Sequence, residues 1–329
     1  MRNRSKKTCA ITILFMISIC ASKACAMIVA SGHIVTKIHV YQLGENNIWK
    51  QIQILTNAPK PIRSLAVSPD GNMIASCGRN QVALWQRDEK NVYKRVKKRY
   101  NLPDHLIPFL AKFSKEGDLY LFLKNSRKQA IDIFQLMENK KFEKQKSANL
   151  GKEYNPKDCS IDGKVVAATT LIGKSSYVAM LGKTPQTFKA YDKNVASSLS
   201  LNKDNSLLAT APAIPIKADH SRKLKIWNLH KKMETKGVAK PFKELEGALK
   251  VAFNPDSTFL VSSEKLTIKI WDAKTWEKKY EFTASGRTMI VSVAMSSPET
   301  EEQKIYKKEL HKKIEPPKKP FSDITIFVK

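Results

Sequence analysis

The stretch Thr267-Ile-Lys-Ile-Trp271 decides the fold, because it is a short run rich in β-branched residues that ends in a large aromatic residue. It has six counterparts along the chain, the fourth run ending in Met: Lys37-Ile-His-Val-Tyr41, Gln81-Val-Ala-Leu-Trp85, Ala130-Ile-Asp-Ile-Phe134, Ser176-Tyr-Val-Ala-Met180, Lys223-Leu-Lys-Ile-Trp227 and Asp323-Ile-Thr-Ile-Phe327. The last residues of the seven runs lie 44, 49, 46, 47, 44 and 56 positions apart in chain order. A period of this length indicates an array in which each repeat is one small sheet.

Two further strands precede each run, and residues 62–76 show them most clearly. Apolar residues alternate with small or polar ones in two segments, on either side of Ser68-Pro-Asp-Gly71. Alternation predicts half-buried strands, and Pro, Asp and Gly are residues that tight turns favour. The unit recurs at 249–262 and more loosely at 111–122 and 199–210, and a charged fourth strand follows the aromatic run, as at 91–98.

Four antiparallel strands per repeat, apolar inside and charged at the outer edge, make one blade of a β-propeller. The sequence therefore predicts an all-β fold with four antiparallel strands per blade. We favour seven blades because there are seven runs, and six blades are the alternative. Three tryptophans close third strands, and we predict that they belong to the structural core between adjacent sheets: Trp85, Trp227 and Trp271.

Four segments of these repeats resemble the WD40 repeat family in degenerate form: Ser68-Pro-Asp-Gly71, Asn254-Pro-Asp256, Lys225-Ile-Trp-Asn-Leu229 and Lys269-Ile-Trp-Asp272. The Asp that the family carries in the turn before each run is replaced by Asn80, Ser221 or Glu264. Because that Asp helps to build a hydrogen-bond network in each blade of the family, we expect this fold to rest mainly on strand pairing and apolar packing. The resemblance implies a rigid platform that binds other macromolecules, and it does not imply an enzyme.

The domain organisation follows from the repeat. Apolar residues make up 42% of the 329 positions, which is enough for a full core. A propeller counts as one domain because every blade packs on its neighbours. We therefore predict a single WD40-like propeller over 27–329, with a basic loop insertion in the last blade at 297–320.

The first 26 residues have two interpretations. Arg2, Arg4, Lys6 and Lys7 precede an apolar stretch that is too short to span a bilayer, and Ala24-Cys-Ala26 resembles a cleavage site. These features predict a signal peptide over 1–26 and hence export, to the periplasm or out of the cell. The N-terminal residue of the protein isolated from its cell tests this, with Met27 expected.

The alternative is that residues 1–26 supply closing strands of the propeller in a cytoplasmic protein. Residues 16–21 would then be the first strand of the first blade, and residues 10–14 the outer strand of the last. In a six-bladed ring the first blade can be completed without residues 1–26. Met289–Ser296 would then supply the fourth strand beside the three N-terminal strands.

The charge is the strongest anomaly of the composition. Lys and Arg number 58 against 30 acidic residues, for a net charge of +28. Such an excess attracts anionic partners, whether nucleic acid, anionic lipid or cell-wall polymer. The candidate anion-contacting residues come from the densest cluster: Lys94, Arg95, Lys97, Lys98 and Arg99. The competing interpretation is a Lys-rich solvated edge, which discourages sheets from pairing edge to edge.

Motifs of catalysis and metal binding are missing from the sequence. The six histidines are scattered without metal-ligand spacing, and no Gly-x-Ser-x-Gly occurs. We therefore predict no catalytic residue, cofactor, metal or small-molecule substrate. The leading functional hypothesis is a monomeric, non-catalytic scaffold that binds protein partners. The alternative is a basic propeller that attaches to an anionic polymer or membrane surface.

Overall fold

The computed structural model describes residues 27–298 with eleven gaps, which are 34–36, 45, 97–99, 139–140, 151–152, 173–174, 182–185, 192–194, 214–222, 232–237 and 287. The described residues form twenty-five β-strands arranged in six sheets. None of them belongs to a helix long and apolar enough to cross a membrane. Three predicted segments fall outside them: residues 1–26, most of the insertion at 297–320 and the seventh run at 323–327.

Each sheet is one blade, and its strands are ordered from the axis of the ring outward. Blade 1 consists of β25 (Ile290–Met295), β1 (Ile28–His33), β2 (Ile38–Leu43) and β3 (Trp49–Leu55). Blade 2 consists of β4 (Ile62–Val67), β5 (Met73–Gly78), β6 (Gln81–Arg87) and β7 (Tyr93–Arg95), with β8 (Tyr100–Asn101) also paired to β6. Blade 3 consists of β9 (Leu106–Phe113), β10 (Leu119–Asn125), β11 (Ala130–Leu136) and β12 (Phe142–Asn149).

The remaining blades repeat this order. Blade 4 consists of β13 (Asn155–Cys159), β14 (Val166–Ile172), β15 (Ser175–Leu181) and β16 (Gln186–Phe188). Blade 5 consists of β17 (Ala196–Leu201), β18 (Leu207–Pro212), β19 (Leu224–Asn228) and β20 (Lys243–Leu245). Blade 6 consists of β21 (Lys250–Phe253), β22 (Phe259–Glu264), β23 (Thr267–Asp272) and β24 (Lys278–Thr283). All pairings within the blades are antiparallel, as predicted.

The six innermost strands form a closed ring. Each contacts the next, and the last contact, between β21 and β25, returns to blade 1. Hydrogen bonds join each neighbouring pair: Leu65 N to Ser292 Oγ (3.1 Å), Ala111 N to Ser64 Oγ (3.1 Å), Lys112 Nζ to Asp158 Oδ1 (3.2 Å), Leu201 N to Asp158 Oδ2 (2.6 Å), Phe253 N to Ser200 Oγ (3.0 Å) and Asn254 Nδ2 to Ser296 O (3.3 Å). The structure is thus a β-propeller of six blades within the described residues.

Six blades were the alternative count, and β25 explains why they suffice. This strand pairs with β1 in the register Val29 with Met295 and Ala30 with Ala294, so it takes the innermost position of the first blade. That is the arrangement in which residues 289–296 supply the fourth strand beside the three N-terminal strands. The signal peptide stays a prediction, because residues 1–26 lie outside the described part.

The apolar core lies between the blades. Six clusters of buried residues each join two neighbouring sheets, and the sixth closes the circle between blades 6 and 1. Trp85 lies between blades 1 and 2, Trp227 between blades 4 and 5, and Trp271 between blades 5 and 6. Their exposed fractions are 3%, 0% and 4%. Strand alternation produces this pattern, since successive side chains point to opposite faces of a sheet.

The hydrogen-bond network within the blades is partly kept. Trp227 donates from Nε1 to Thr210 Oγ1 (3.0 Å) and Trp271 donates to Ser262 Oγ (2.8 Å), both within the buried interior. The fold therefore rests on strand pairing and apolar packing, and also on these two buried side-chain hydrogen bonds. Thr210 and Ser262 lie on second strands, and the sequence pattern alone does not connect them to the tryptophans.

Turn chemistry accounts for the acidic residues that recur with the repeat. Asp70 accepts from Ser68 Oγ (2.5 Å), and Gly71 follows with a positive φ of 70°. Asp204 and Asp256 accept from side chains and N–H groups of their own turns in the same way. Each carboxylate therefore serves its turn, as the sequence interpretation expected.

The two cysteines of the described chain are small core residues. Cys77 and Cys159 are free and fully buried. Burial raises the pKa of each thiol to about 12. At neutral pH both are therefore unreactive thiols that fill space between blades.

A buried histidine pair lies where blade 1 meets the segment after blade 6. The rings of His33 and His39 are in contact, with centroids 4.3 Å apart and planes tilted by 44°. His33 Nδ1 lies 2.8 Å from the carbonyl oxygen of Thr288, so this nitrogen donates, and Nε2 lies 3.2 Å from Ser31 Oγ. Burial lowers the pKa of His33, and a charge on His39 lowers it further.

This pair predicts a loss of stability in acid. The unfolded chain takes up a proton at His33 below about pH 6.5, whereas the folded chain does so only at lower pH, so the free energy of unfolding falls as pH drops through this window. Urea unfolding at about pH 7 and about pH 5 measures the effect. His33→Gln should show a smaller decrease than the wild type, and equal decreases would contradict the assignment.

Candidate functional site

The ring has two different faces because every blade is antiparallel. The connecting face carries the loops between successive blades, such as Asn57–Lys60, and the turns between second and third strands, such as Arg79–Asn80. The turn face carries the other turns, such as Ser68–Gly71. A channel runs between the faces, with a cavity of about 440 Å³ that all six innermost strands line.

Bulges in the innermost strands place two cations in this channel. In β4, Ile62 pairs with Gly78 and Ser64 pairs with Cys77, so Arg63 has no partner across the ladder. In β13, Pro156 pairs with Ala168 and Asp158 with Ala167, which leaves Lys157 unpaired in the same way. A bulge of this kind changes the direction of the extra side chain. Both side chains line the cavity.

The charges of the channel lining are unequal. Four basic residues line the cavity, namely Arg63, Lys112, Lys157 and Lys250, against the single carboxylate of Asp158. That carboxylate is already engaged, because it accepts from Lys112 Nζ, from Cys159 N (2.7 Å) and from Leu201 N (2.6 Å). The channel therefore carries a positive potential that its own acid does not balance.

Burial and neighbouring positive charges lower the pKa values of two channel lysines. Burial lowers the pKa of Lys157, and the charge of Arg63 lowers it further. Burial likewise lowers the pKa of Lys250, with a smaller contribution from Lys157. Lys157 is thus repelled by both Arg63 and Lys250, while Arg63 is exposed and both lysines are half-buried.

A second basic hollow opens on the connecting face of blade 2. It has a volume of about 630 Å³, and its lining includes Lys60, Arg79 and Arg95 but no acidic residue. Lys60 belongs to the connection between blades 1 and 2, Arg79 to the turn between β5 and β6, and Arg95 to the end of β7. We call these three residues the connecting-face cations.

The cavity on the turn face is different. It has a volume of about 470 Å³ and is lined by the turns of blades 3 to 6. Its charged residues balance in number: Lys112, Lys115 and Lys203 against Glu116, Asp118 and Asp162. Unbalanced positive charge therefore marks the channel and the blade 2 hollow.

Two of the five residues of the predicted basic cluster, Lys94 and Arg95, are described, and their surroundings differ. Lys94 Nζ forms an exposed ion pair with Asp88 Oδ2 (3.0 Å), and its side chain is 72% exposed. The guanidinium of Arg95 lies 5.9 Å from the ring centroid of Trp85, and this residue lines the blade 2 hollow. Lys97, Lys98 and Arg99 lie outside the described residues.

Sequence reasoning missed Arg63, Lys157 and Lys250. The signal was present in part, since each is a basic residue in a predicted or observed first strand, where apolar or small residues are expected. Their direction depends on the bulges and on the closed ring, which the local pattern does not contain. No group of three or more His, Cys, Asp or Glu suited to a metal occurs among the residues that the structure describes.

Comparison with known proteins agrees with this architecture. The family model of the WD domain, G-beta repeat, matches residues 49–86 and 240–272. A chain from the nidogen/laminin complex is similar with a TM-score of 0.54 and 12% identity, over 83% of this chain and 100% of that one. A candidate 6-phosphogluconolactonase from Bacteroides uniformis is similar with a TM-score of 0.52 and 12% identity, over 82% and 99%. Identities this low show the fold alone, and no curated protein matches the sequence.

Proposed function

We propose that this WD40-like β-propeller is a non-catalytic scaffold that binds an acidic protein partner on its connecting face. The observation that carries the proposal is the unbalanced positive charge of the blade 2 hollow on that face. Lys60, Arg79 and Arg95 surround one hollow without an acidic residue, whereas the hollow on the turn face is balanced. Complementary charge favours the encounter with an acidic partner and disfavours basic ones.

The rigidity of the ring supports a scaffold. Neighbouring blades share buried clusters, and hydrogen bonds join every pair of innermost strands, so the described part of the ring is a rigid frame for the hollow lined by Lys60, Arg79 and Arg95. A preorganised surface loses little conformational entropy when a partner binds. WD40 domains generally mediate protein interactions through such surfaces.

The lining of the channel supports the absence of catalysis. It contains no histidine and no cysteine among the described residues, and its single carboxylate is bonded to Lys112 and two backbone N–H groups. General acid–base catalysis needs a group that is free to exchange a proton with the substrate. Asp158 is instead occupied in joining blades 3, 4 and 5.

Affinity capture with a charge-reduced variant tests the proposal. The protein and a variant in which Lys60, Arg79 and Arg95 are each replaced by Gln are used to capture proteins from extracts of the source cell, with quantitative mass spectrometry. We expect the wild type to retain acidic partners and the variant to lose them by at least about fivefold, because complementary charge is removed at the contact.

The matched control removes the same charge from the turn face. Lys90, Lys115 and Lys203 are exposed there, and replacing each by Gln should leave the captured partners unchanged. Equal losses in both variants would mean that overall charge, and not the connecting face, determines binding. That result would contradict the proposed surface.

Attachment to an anionic polymer or membrane surface is the second candidate function. The observation that favours it is the net charge of +28. Binding of heparin or anionic vesicles that weakens steeply with salt, and weakens equally in both triple variants, would favour this function over the scaffold. We also propose that the protein acts outside the cytoplasm, after export and cleavage before Met27.

A further inference from the structure

The channel holds three cations that the fold itself does not use. Arg63, Lys157 and Lys250 line the cavity. Among the described residues, no hydrogen bond or ion pair involves the charged end of any of them, whereas Lys112 beside them is bonded to Asp158 and to Leu201 O (3.4 Å). Bonding between the blades explains Lys112, and a different explanation is needed for the other three.

Their arrangement is unfavourable for the protein alone. Removing a charge from water without a partner costs free energy, and like charges at close range add to that cost. The lowered pKa values of Lys157 and Lys250 reflect both effects. The bulges add a further cost, because Arg63 and Lys157 give up their places in the ladders of β4 and β13. A ligand of opposite charge would compensate for all of these.

We propose that the channel is an oxyanion-binding site, in which Arg63, Lys157 and Lys250 contact a phosphate or carboxylate group of a small molecule. The guanidinium of Arg63 presents paired donors that match two oxygens of such a group, and the two ammonium groups add point charges from alternate strands of the ring, β13 and β21. The cavity of about 440 Å³ lies within the range of roughly 300–1,000 Å³ that is common for small-ligand sites.

This site is separate from the proposed partner surface. The channel residues come from the innermost strands β4, β13 and β21, whereas the connecting-face cations lie in loops and at the end of β7. Arg63 lines the channel and is exposed, so a small oxyanion in solvent can contact this member of the site directly. Failure of one site therefore leaves the other testable.

Isothermal titration calorimetry of the full chain tests the site, with pyrophosphate and citrate as the two probes. We expect the wild type to bind at least one of them, and Lys157→Gln and Lys250→Gln each to weaken that binding by about tenfold or more, since each removes a charge-assisted contact. Tighter binding of pyrophosphate assigns a phosphate ligand, and tighter binding of citrate assigns a carboxylate. Either order supports the proposal.

Two control variants remove one charge elsewhere. Lys90→Gln and Lys274→Gln lie in exposed turns between the third and fourth strands of blades 2 and 6, so both should keep the affinity of the wild type within about twofold. Absence of binding in the wild type would overturn the proposal. Equal affinity in all five proteins would also overturn it, because the anion would then bind outside the channel.

Thermal unfolding gives a readout that separates a ligand site from a structural role. In buffer without multivalent anions, Lys157→Gln should raise the melting temperature, because repulsion and desolvation of the charge disappear. Pyrophosphate or citrate should raise the melting temperature of the wild type but not that of Lys157→Gln. A lower melting temperature of the variant together with no response of the wild type would show that Lys157 serves the fold, and would contradict the proposal.

Discussion

Truncation of the chain after Met289 should abolish the folded ring. The missing strand β25 contacts β1, β4 and β21, so its loss leaves blade 1 with three strands and opens the circle. Ile290, Val293 and Met295 are at most 3% exposed, and full burial of such side chains contributes about 1.5–3 kcal/mol each. Three of them approach the whole stability of a typical domain, about 5–15 kcal/mol.

The matched control for this truncation ends after Pro298 and keeps β25. It should unfold cooperatively near the temperature of the full chain, because all six blades lie within residues 28–295. Circular dichroism and urea unfolding compare the two chains. Cooperative unfolding of the chain that ends after Met289 would show that β25 is dispensable, and would contradict closure of the ring by this strand.

Replacement of Trp271 by Ala should destabilise the protein by about 3–5 kcal/mol. Its indole packs between blades 5 and 6 at 4% exposure and donates to Ser262 Oγ, so the change leaves a cavity and removes a buried hydrogen bond. Urea unfolding gives the free-energy difference directly.

Trp276→Ala is the control within the same blade. Trp276 is only half-buried, in the turn between β23 and β24, where it packs at the edge of the same cluster, and its φ of 61° is unfavourable for a large side chain. We expect a loss of about 1 kcal/mol or less, as for most partly exposed positions. A loss equal to that of Trp271→Ala would contradict the strand assignment of blade 6.

The blades could be predicted from the sequence because their determinants are local. Six of the seven runs are third strands, the seventh lying outside the described residues, and Ser68-Pro-Asp-Gly71 is a turn in which Asp70 accepts hydrogen bonds. Alternation along each strand also placed Trp85 and Trp227 between sheets. These features depend on residues only a few positions apart.

The number of blades and the channel site could not be predicted in the same way. The pairing of β25 with β1 joins residues about 265 positions apart, and no local pattern encodes it. In the sequence, Arg63 occupies a polar position of an alternating strand, which predicts a side chain that faces solvent. The bulge between Ile62 and Ser64 directs this side chain to the channel instead. Register and closure are properties of the whole ring, so the cations it gathers appear only in the structure.

An engineered disulfide tests the closure of the ring most directly. Ser296 N donates to Ile28 O (2.9 Å), so the neighbouring pair Val29 and Met295 is a non-hydrogen-bonded pair, whose Cα atoms lie about 4.5 Å apart in such ladders and within reach of a disulfide. Peptide mapping by mass spectrometry after oxidation of the folded Val29→Cys/Met295→Cys variant should find the 29–295 link. The control Ala30→Cys/Met295→Cys should not form a 30–295 link, because adjacent residues of a strand point to opposite faces of the sheet. A link in the control, or none in either variant, would contradict a six-bladed ring closed by β25.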